Sequence, residues 1–290
     1  MLLLIRIFSL LPLSVLYCLA DGVIYPLVRY VVRYRLKIVR KNIRLSFPEK
    51  SEKEQNAIIN AFYHHFADLL VEIIYGYRMS DEEMRERFVF ENISLVEELA
   101  QKNKGVFFML GHFGNWEWVA DIGKRYSDPR IKEYNVYRRL KNPSADKAML
   151  ALRLKRGGGG CIEKGQLLRQ LVAMRHTSEL LTIGLISDQK PSPRNAHVWT
   201  DFLNQDTAFL DGGEVLARKF GYAVTYVHIT SPKRGYYHAR FELITDDPAS
   251  TAPDEITLRY AQLLESNIRL QPELWLWSHN RWKYNRESCK

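Results

Sequence analysis

The sequence is poor in cysteine, and the few cysteines it has are scattered. Cys18, Cys161 and Cys289 are odd in number and far apart, and no Cys-x-x-Cys pair occurs. The chain therefore offers neither a disulfide framework nor a cysteine pair for zinc, and a reduced, cytosol-facing body is the simplest interpretation. An internal repeat and a low-complexity linker are also lacking. Its 290 residues, 46% of them hydrophobic, suffice for one sizeable core.

Acidic residues are in deficit. Asp and Glu number 33 against 42 Lys and Arg, which gives a formal charge of +9. Such an excess suits an anionic partner, and a membrane surface, a nucleic acid or an acidic substrate would all qualify. Because no nucleic-acid-binding motif accompanies the charge, we do not expect a nucleic-acid partner.

The N-terminal hydrophobic run is short. The uncharged stretch 7–20 falls below the ~20 residues that a membrane-spanning helix needs. Arg6 and the small residues near Ala20 also fit a signal peptide, and that alternative stays open. Apolar character resumes at residues 22–28, however, which a mature secreted domain would not require. We therefore favour an anchor that stays attached.

A basic stretch follows, from Arg29 to Arg44, and it contains no acid. At ~100° per residue, one sector of a continuous helix would hold its main cations, which are Arg29, Arg33, Lys37, Arg40 and Arg44. The adjacent sector would be apolar, with Val32, Leu36, Val39 and Ile43. This pattern is typical of a helix lying among lipid headgroups, although a solvated face of a core helix can share it. We predict that residues 1–47 form membrane-associating helices.

Beyond Pro48 the pattern alternates between helix and strand. Capping-box spacing predicts helix starts at Ser51, Ser80 and Ser94. Further predicted helices are 116–125, 144–155, 166–176, 213–220 and 254–271, and the predicted strands are 106–110, 134–137, 180–187, 222–230 and 237–244. This alternation predicts an α/β domain over residues 48–290, with a mixed sheet flanked by helices.

The sharpest feature is the string GHFGNWEW at 111–118, directly after the predicted buried strand 106–110. Open α/β sheets bind ligands at such strand ends. On one regular helix His112 and Glu117 would point about 140° apart. They can meet only if His112 lies in a turn, which Gly111 and Gly114 permit, and Glu117 lies in the following helix. The positive end of that helix favours a neutral imidazole, so His112 would act as a general base whose tautomer Glu117 holds.

Other interpretations of this pair remain open. No serine or cysteine adjoins it, which argues against a covalent intermediate on the enzyme. A lone histidine is more often a packed or surface residue than a catalyst. His112 and Glu117 could also be two ligands of a metal, but no further His or Cys stands at matching spacing. We therefore predict that the protein uses neither a metal nor another cofactor.

The same residues resemble a known family. His112 and Glu117 match the histidine, four residues, acid motif of glycerolipid-type acyltransferases, and GHFGNWE resembles the bacterial lipid A late (secondary) acyltransferases. Other segments agree with that family in the same order, namely RKNI and SFPE within 40–49, YRRLKNP at 137–143, DQ at 188–189 and WLWSHNRWK at 275–283. The resemblance covers nearly the whole chain.

This resemblance implies an O-acyltransferase that moves a fatty acyl group from acyl carrier protein to a hydroxyl of a lipid A precursor. It places the enzyme on the bacterial inner membrane with its catalytic domain facing the cytosol. His112 would deprotonate the hydroxyl and Glu117 would orient His112. The family also has an important arginine; Arg153 and Arg156 both fit, and Arg156 is preferred because it directly precedes the run Gly157–Gly160.

The expected substrate-binding residues are Arg156, Arg153, Asp188, Arg139, Lys141 and Asn115. For Arg139 and Lys141, exposed surface charge is an equal alternative, and Asp188 could instead cap a turn. Two other functions stay open: an acyltransferase for another membrane lipid, such as a phospholipid or aminolipid, and a non-enzymatic basic protein that binds membranes. The His112 pair argues against the last, because adhesion needs no acid–base pair.

Overall fold

The computed structural model describes residues 2–289, with side chains from residue 5 onward except at position 288. In this range the α-helices are α1 (Leu2–Phe8), α2 (Leu13–Leu19), α3 (Leu36–Ser46), α4 (Glu52–Gly76), α5 (Asp81–Arg87), α6 (Ile93–Asn103), α7 (Pro143–Arg156), α8 (Leu167–Met174), α9 (Gly212–Phe220) and α10 (Glu255–Leu270). The strands are β1 (Phe88–Phe90), β2 (Gly105–Leu110), β3 (Ile131–Tyr137), β4 (Gly160–Glu163), β5 (Leu180–Ile186), β6 (Val198–Phe202), β7 (Gln205–Phe209), β8 (Ala223–Lys233) and β9 (Tyr236–Thr245).

Seven strands form one mixed sheet in the order β1-β9-β8-β2-β5-β3-β4. Neighbouring strands are parallel except β8 and β9, which form an antiparallel pair. All six residues of β2 are buried, as expected of a strand in a parallel sheet covered on both faces. The predicted mixed sheet flanked by helices is confirmed. Because β2 pairs with β5, their carboxyl ends at Leu110 and Ile186 lie side by side.

Most predicted helix starts hold, and one is wrong. The Ser51 side chain accepts the amide of Glu54 in a complete capping box at the start of α4, and the Ser80 side chain accepts the amide of Glu83 at the start of α5. Ser94, in contrast, lies inside α6, which begins one residue earlier at Ile93. The predicted helix 116–125 is a 3-10 helix over Trp116–Lys124.

The glycine run 157–160 is packed rather than a loose turn. The Gly159 amide donates to the Glu133 carbonyl at 2.9 Å, and a Cβ on Gly159 would lie 2.4 Å from that oxygen. A Cβ on Gly158 would lie 2.5 Å from the Gly123 carbonyl oxygen. Only glycine allows these close backbone approaches. They bring α7 against the sheet and lead into β4, a short edge strand that the sequence pattern did not predict.

The basic stretch is not one continuous helix, so the predicted sector of cations is wrong. Arg33 and Arg35 have φ values of 52° and 51°, which end the π-helical turn Leu27–Val31 before α3 begins. Arg29 turns inward, is 7% exposed and donates to the Asn60 side chain. In α3 the expected two faces do form, with Val39 buried and Lys37 exposed.

Two helical stretches, Leu13–Val31 and Glu52–Gly76, are long and apolar enough to cross a membrane by length and composition. The first is 17% buried and leaves many apolar side chains exposed, whereas α4 is 44% buried and packs against the domain. The predicted division at residue 47 stays a prediction. Val39 and Ile43 of α3 belong to the main hydrophobic core, so α3 is packed onto the body of the protein.

Candidate active site

His112 and Asp188 meet just beyond the carboxyl ends of β2 and β5. The Nδ1 atom of His112 lies 2.6 Å from Oδ1 of Asp188. The backbone amide of His112 donates to Oδ2 of the same carboxylate at 2.9 Å, so Asp188 holds both the ring and the backbone of the histidine. The ring atom Nε2 lies 3.4 Å from the Gln189 side-chain nitrogen. This leaves Nε2 as the nitrogen that can exchange a proton with a ligand.

The C-terminal aromatic segment fixes this turn from the other side. The Trp275 indole donates to Oδ2 of Asp188 at 2.8 Å, and the Leu276 amide donates to the His112 carbonyl at 3.1 Å. Gly114 has a φ of 55°, which suits glycine, and its amide donates to the Leu274 carbonyl. Trp275 is buried, so it contributes to core packing and also donates a hydrogen bond to Asp188.

The Asp188 carboxylate sets the protonation of His112. Burial disfavours the imidazolium, but the charge and hydrogen bond of Asp188 outweigh burial and raise the pKa of His112, with the Glu117 charge acting in the same direction. Burial also works against ionised Asp188, yet its bonds to His112 and Trp275 lower its pKa to about 2. The helix dipole was expected to lower the pKa of His112, but the effect of Asp188 is stronger and raises it.

Glu117 pairs with Arg153 rather than with His112. Its carboxylate accepts two bonds from the Arg153 guanidinium, from Nε at 2.8 Å and from Nη2 at 2.6 Å. The Trp116 indole adds a third bond at 3.2 Å. Both charged side chains are largely buried, with 12% of Glu117 and 22% of Arg153 exposed. The predicted contact between Glu117 and His112 does not form, because the 3-10 helix aims Glu117 at α7. Asp188 contacts His112 in its place.

A pocket opens beside this ion pair. Glu117 and Arg153 form part of its wall, together with Trp116, whose ring meets the His112 ring edge-on at 5.1 Å between centroids. The remaining wall is mainly apolar and includes Phe108, Leu110, Val119, Val136 and Ile186. The pocket is therefore mainly apolar and lies close to the candidate base, because Trp116 contacts both.

Arg156, the arginine preferred from the sequence, is not among the residues that line this pocket. Arg156 is 4% exposed and donates to the backbone carbonyls of Gly76 and Met79 at the end of α4, and to Asp81. These bonds occupy its guanidinium in holding α7 to α4. Arg153, one helical turn earlier, reaches the pocket. Of the two candidates, the structure brings only Arg153 to the motif.

The other predicted substrate contacts are divided between interior and surface. Asn115 is fully buried, and its amide donates to the Glu72 carboxylate at 2.9 Å, so it supports the turn from inside. Glu72 also accepts bonds from Tyr17 and Tyr237, a buried network that no sequence pattern indicated. Arg139 and Lys141 are exposed in the segment after β3. Among the described residues, no group of three His, Cys, Asp or Glu is placed to hold a metal ion.

Comparison with known proteins identifies the family of the chain. Residues 1–284 match the family described as bacterial lipid A biosynthesis acyltransferase. The chain is 24% identical to the lipid A biosynthesis palmitoleoyltransferase of Escherichia coli K12 over 94% of this chain and 86% of that protein. It is 24% identical to the lauroyltransferase of the same organism, over 94% and 87%, and 22% identical to a lipid A biosynthesis acyltransferase of Haemophilus influenzae, over 86% and 78%. The chain belongs to the bacterial lipid A biosynthesis acyltransferase family.

Proposed function

We propose that this protein transfers a fatty acyl group from an acyl thioester, carried by acyl carrier protein, to a hydroxyl group of a lipid A precursor. The observation that carries the proposal is the His112–Asp188 pair, which leaves Nε2 of His112 as a base beside an apolar pocket. The names of the relatives, as palmitoleoyl- and lauroyltransferases of lipid A biosynthesis, support a fatty acyl group and a lipid acceptor.

In the proposed reaction, Nε2 of His112 takes the proton of the acceptor hydroxyl while the hydroxyl oxygen attacks the thioester carbonyl carbon. The negative charge of Asp188 stabilises the imidazolium that forms. The tetrahedral intermediate then collapses, the carbon–sulfur bond breaks, and the thiolate leaves. The imidazolium returns the proton to the sulfur. The products are an ester and a free thiol, and His112 is again neutral.

An oxyanion forms on the former carbonyl oxygen and needs hydrogen-bond donors. The Gly114 amide already donates to Leu274, so it does not serve this purpose. The Trp118 amide donates to the Asn115 carbonyl, so the amides of Trp116 and Glu117 are the ones at the start of the 3-10 helix Trp116–Lys124 that can serve this purpose. We assign the oxyanion site to the amides at the start of this helix. The Glu117–Arg153 pair joins the start of this helix to α7 and places a cation in the pocket wall.

The proposed reaction takes place at the cytosolic face of the inner membrane. A surface that we call the N-terminal apolar face supports membrane attachment; its exposed side chains are Ile7, Phe8, Leu10, Val15, Val23, Leu27, Tyr30, Val31 and Val32. Val31 is 73% exposed and Val32 is 60% exposed. So many exposed apolar side chains within one short segment of a soluble protein would favour aggregation. The exposed cations Lys37, Arg40 and Arg44 of α3 follow it along the chain and suit an anionic leaflet.

The decisive experiment uses the full-length protein in detergent micelles with a lipid A precursor and a labelled acyl thioester. Mass spectrometry of the lipid should show one added acyl ester, and free thiol should appear in equal amount. His112→Ala should lower turnover by at least about 10³-fold, because the base is lost. A folded His112→Ala variant with near-normal turnover would contradict the mechanism. Mass spectrometry of lipids from a deletion strain would identify the acceptor in the cell.

A further inference from the structure

The carboxyl group of Glu72, in α4, connects three separate parts of the chain. Its side chain is fully buried. Oε1 accepts a hydrogen bond from the Tyr17 hydroxyl at 2.8 Å. Oε2 accepts one from the Asn115 side-chain amide at 2.9 Å and one from the Tyr237 hydroxyl at 2.8 Å. Because these donors lie in α2, in the turn after β2 and in β9, one side chain ties the N-terminal helix and the sheet to the turn that carries His112.

These bonds act on the amides that we assign to the oxyanion site. Asn115 directly precedes the 3-10 helix, and its carbonyl accepts the Trp118 amide at 3.1 Å. The carbonyl of Asn115 and the N–H of Trp116 belong to one planar peptide group. Holding Asn115 by its side chain and by its carbonyl therefore fixes the direction of the Trp116 N–H. Glu72 influences this N–H through Asn115, without a contact to the substrate.

Tyr17 is itself held firmly against the body of the protein. The Arg234 guanidinium lies 4.2 Å from the centroid of its ring. Arg234 also bonds to Asp21, just after α2, and to Asp68 in α4. The Tyr17 hydroxyl packs so closely on Gly235 that any larger side chain there would collide with it. Although α2 carries part of the N-terminal apolar face, this one residue of α2 is built into the interior support of the turn.

We propose that Glu72 is a positioning residue of the oxyanion site and that Tyr17 completes its setting, so that the N-terminal segment contributes to turnover as well as to membrane attachment. Among the described residues, Tyr17 is the only hydrogen-bond donor to Oε1 of Glu72. A buried carboxyl oxygen is unfavourable without a partner, so loss of this donor would turn the carboxyl group and shift Asn115. This rests on the proposed function, because the oxyanion belongs to acyl transfer.

A positioning role and a purely structural role have different kinetic consequences. If the network only stabilises the fold, its loss should lower the melting temperature and leave the kinetics of the folded protein unchanged. If it positions the oxyanion amides, its loss should lower kcat and leave KM unchanged, because the oxyanion exists in the transition state and not in the bound thioester. The acidic limb of the pH profile should stay in place, because the bond between His112 and Asp188 is untouched.

The first test is Tyr17→Phe in the full-length protein in detergent, because it keeps the ring and removes only the hydroxyl. We expect kcat to fall about tenfold, less than the 10²- to 10³-fold effect of deleting an oxyanion donor, with KM unchanged. Tyr63→Phe is the matched control: its hydroxyl donates to the Tyr34 carbonyl at 2.7 Å and also joins α4 to the N-terminal stretch, but does not contact Glu72. A Tyr17→Phe protein with wild-type kcat, or an equal fall in Tyr63→Phe, would overturn the proposal.

Two substitutions of Glu72 test the carboxyl group itself. Glu72→Met removes all three bonds and should lower kcat about 10²-fold. In Glu72→Gln the amide oxygen can accept from Asn115 and Tyr237, and the NH2 group can donate to the Tyr17 hydroxyl. This conservative variant should recover at least about tenfold of the kcat that Glu72→Met loses, and a Glu72→Gln protein as slow as Glu72→Met would contradict the positioning role. If Glu72→Met fails to fold, Tyr17→Phe and its control decide the question.

Hydrogen exchange measured by mass spectrometry reports on the turn without any acyl transfer. The Trp118 amide is bonded to the Asn115 carbonyl, so segment 111–118 should exchange about tenfold faster in Tyr17→Phe and at the wild-type rate in Tyr63→Phe. This separates failure of the proposal from failure of the proposed function. Acyl transfer at equal rates by wild type and Tyr17→Phe overturns the positioning role and leaves the acyltransferase intact. Faster exchange in Tyr17→Phe of a protein that transfers no acyl group supports the link from α2 to the turn and contradicts the proposed function.

Discussion

Replacing Asp188 by Asn should disable the proposed base without disturbing the fold. Oδ2 of Asp188 accepts two N–H groups, the His112 amide and the Trp275 indole. In Asp188→Asn the side-chain carbonyl must take the Oδ2 position to keep both bonds. The NH2 group then faces Nδ1 of His112, which becomes an acceptor, and the ring proton moves to Nε2. In this tautomer Nε2 cannot take a proton from the acceptor.

The size of the effect follows from two losses. The bond at 2.6 Å to an ionised partner contributes about 1.5–3 kcal/mol, which alone is about 10- to 100-fold in rate. The wrong tautomer adds to this, and the same Asp-to-Asn change in a Ser-His-Asp triad costs about 10⁴ in kcat. We therefore expect kcat to fall by about 10³ to 10⁴ in Asp188→Asn, with little change in the melting temperature.

The pH profile gives an independent check. Asp188 raises the pKa of His112, so in the wild type the neutral base is lost as pH falls through a value above the ordinary histidine pKa. In Asp188→Asn, which lacks that negative charge, the acidic limb of the pH–activity profile should move to lower pH. Steady-state assays of acyl transfer from pH 5 to 9, with calorimetric melting as control, would measure both effects. An Asp188→Asn protein that keeps kcat within about threefold of wild type, with an unmoved limb, would refute the pairing.

Other consequences concern the second ion pair, α7 and the membrane. Glu117→Ala and Arg153→Ala should each lower kcat/KM, because each single change leaves a buried charge unpaired. The double variant should lose little more than either single variant. Simple additivity in the double-mutant cycle would contradict this. Arg156→Met should lower the free energy of unfolding by about 2–3 kcal/mol in a denaturant titration, because two buried carbonyls lose their hydrogen-bond donor. KM should stay unchanged, because Arg156 does not contact the substrate. A raised KM at unchanged stability would return Arg156 to the substrate site. Vesicle binding of the full-length protein should weaken but persist in high salt. Neutralising the three exposed cations of α3 should remove the salt dependence of binding while the apolar contribution remains. The control is a protein with three other exposed lysines neutralised, Lys147, Lys164 and Lys219; an unchanged salt dependence in the α3 variant would place the electrostatic contact elsewhere. The α3 cations to be changed are Lys37, Arg40 and Arg44.

The sequence was a good guide to elements whose signal is local. The apolar run before Gly111 predicted β2, and the Ser51–Glu54 spacing predicted the first residue of α4, because strand burial and helix capping depend on near neighbours. The hairpin of β6 and β7 and the edge strand β4 were missed. β4 follows a glycine run that looks like a loop, and its conformation is set by packing against Gly123 and Glu133, far away in sequence.

The site itself depends on contacts that spacing does not encode. His112 and Asp188 are 76 positions apart and meet because β2 pairs with β5, a topology that no local pattern specifies. Arg153 and Arg156 are three residues apart on α7, which separates them by about 4.5 Å along the helix axis. That distance decides that Arg153 reaches Glu117 and Arg156 reaches α4. The sequence pattern alone does not distinguish the two arginines.

The five-residue spacing of His112 and Glu117 therefore has a different meaning from the one that sequence suggests. It does not describe a hydrogen bond between the two. It sets a turn followed by a 3-10 helix, which aims His112 at β5 and Glu117 at α7. Each member of the motif is completed by a residue from a later part of the chain, so both partners are in place only after the central sheet and its covering helix have assembled. The motif alone, in an unfolded chain, would hold neither the tautomer of His112 nor the orientation of Glu117, and the base forms as a property of the folded sheet.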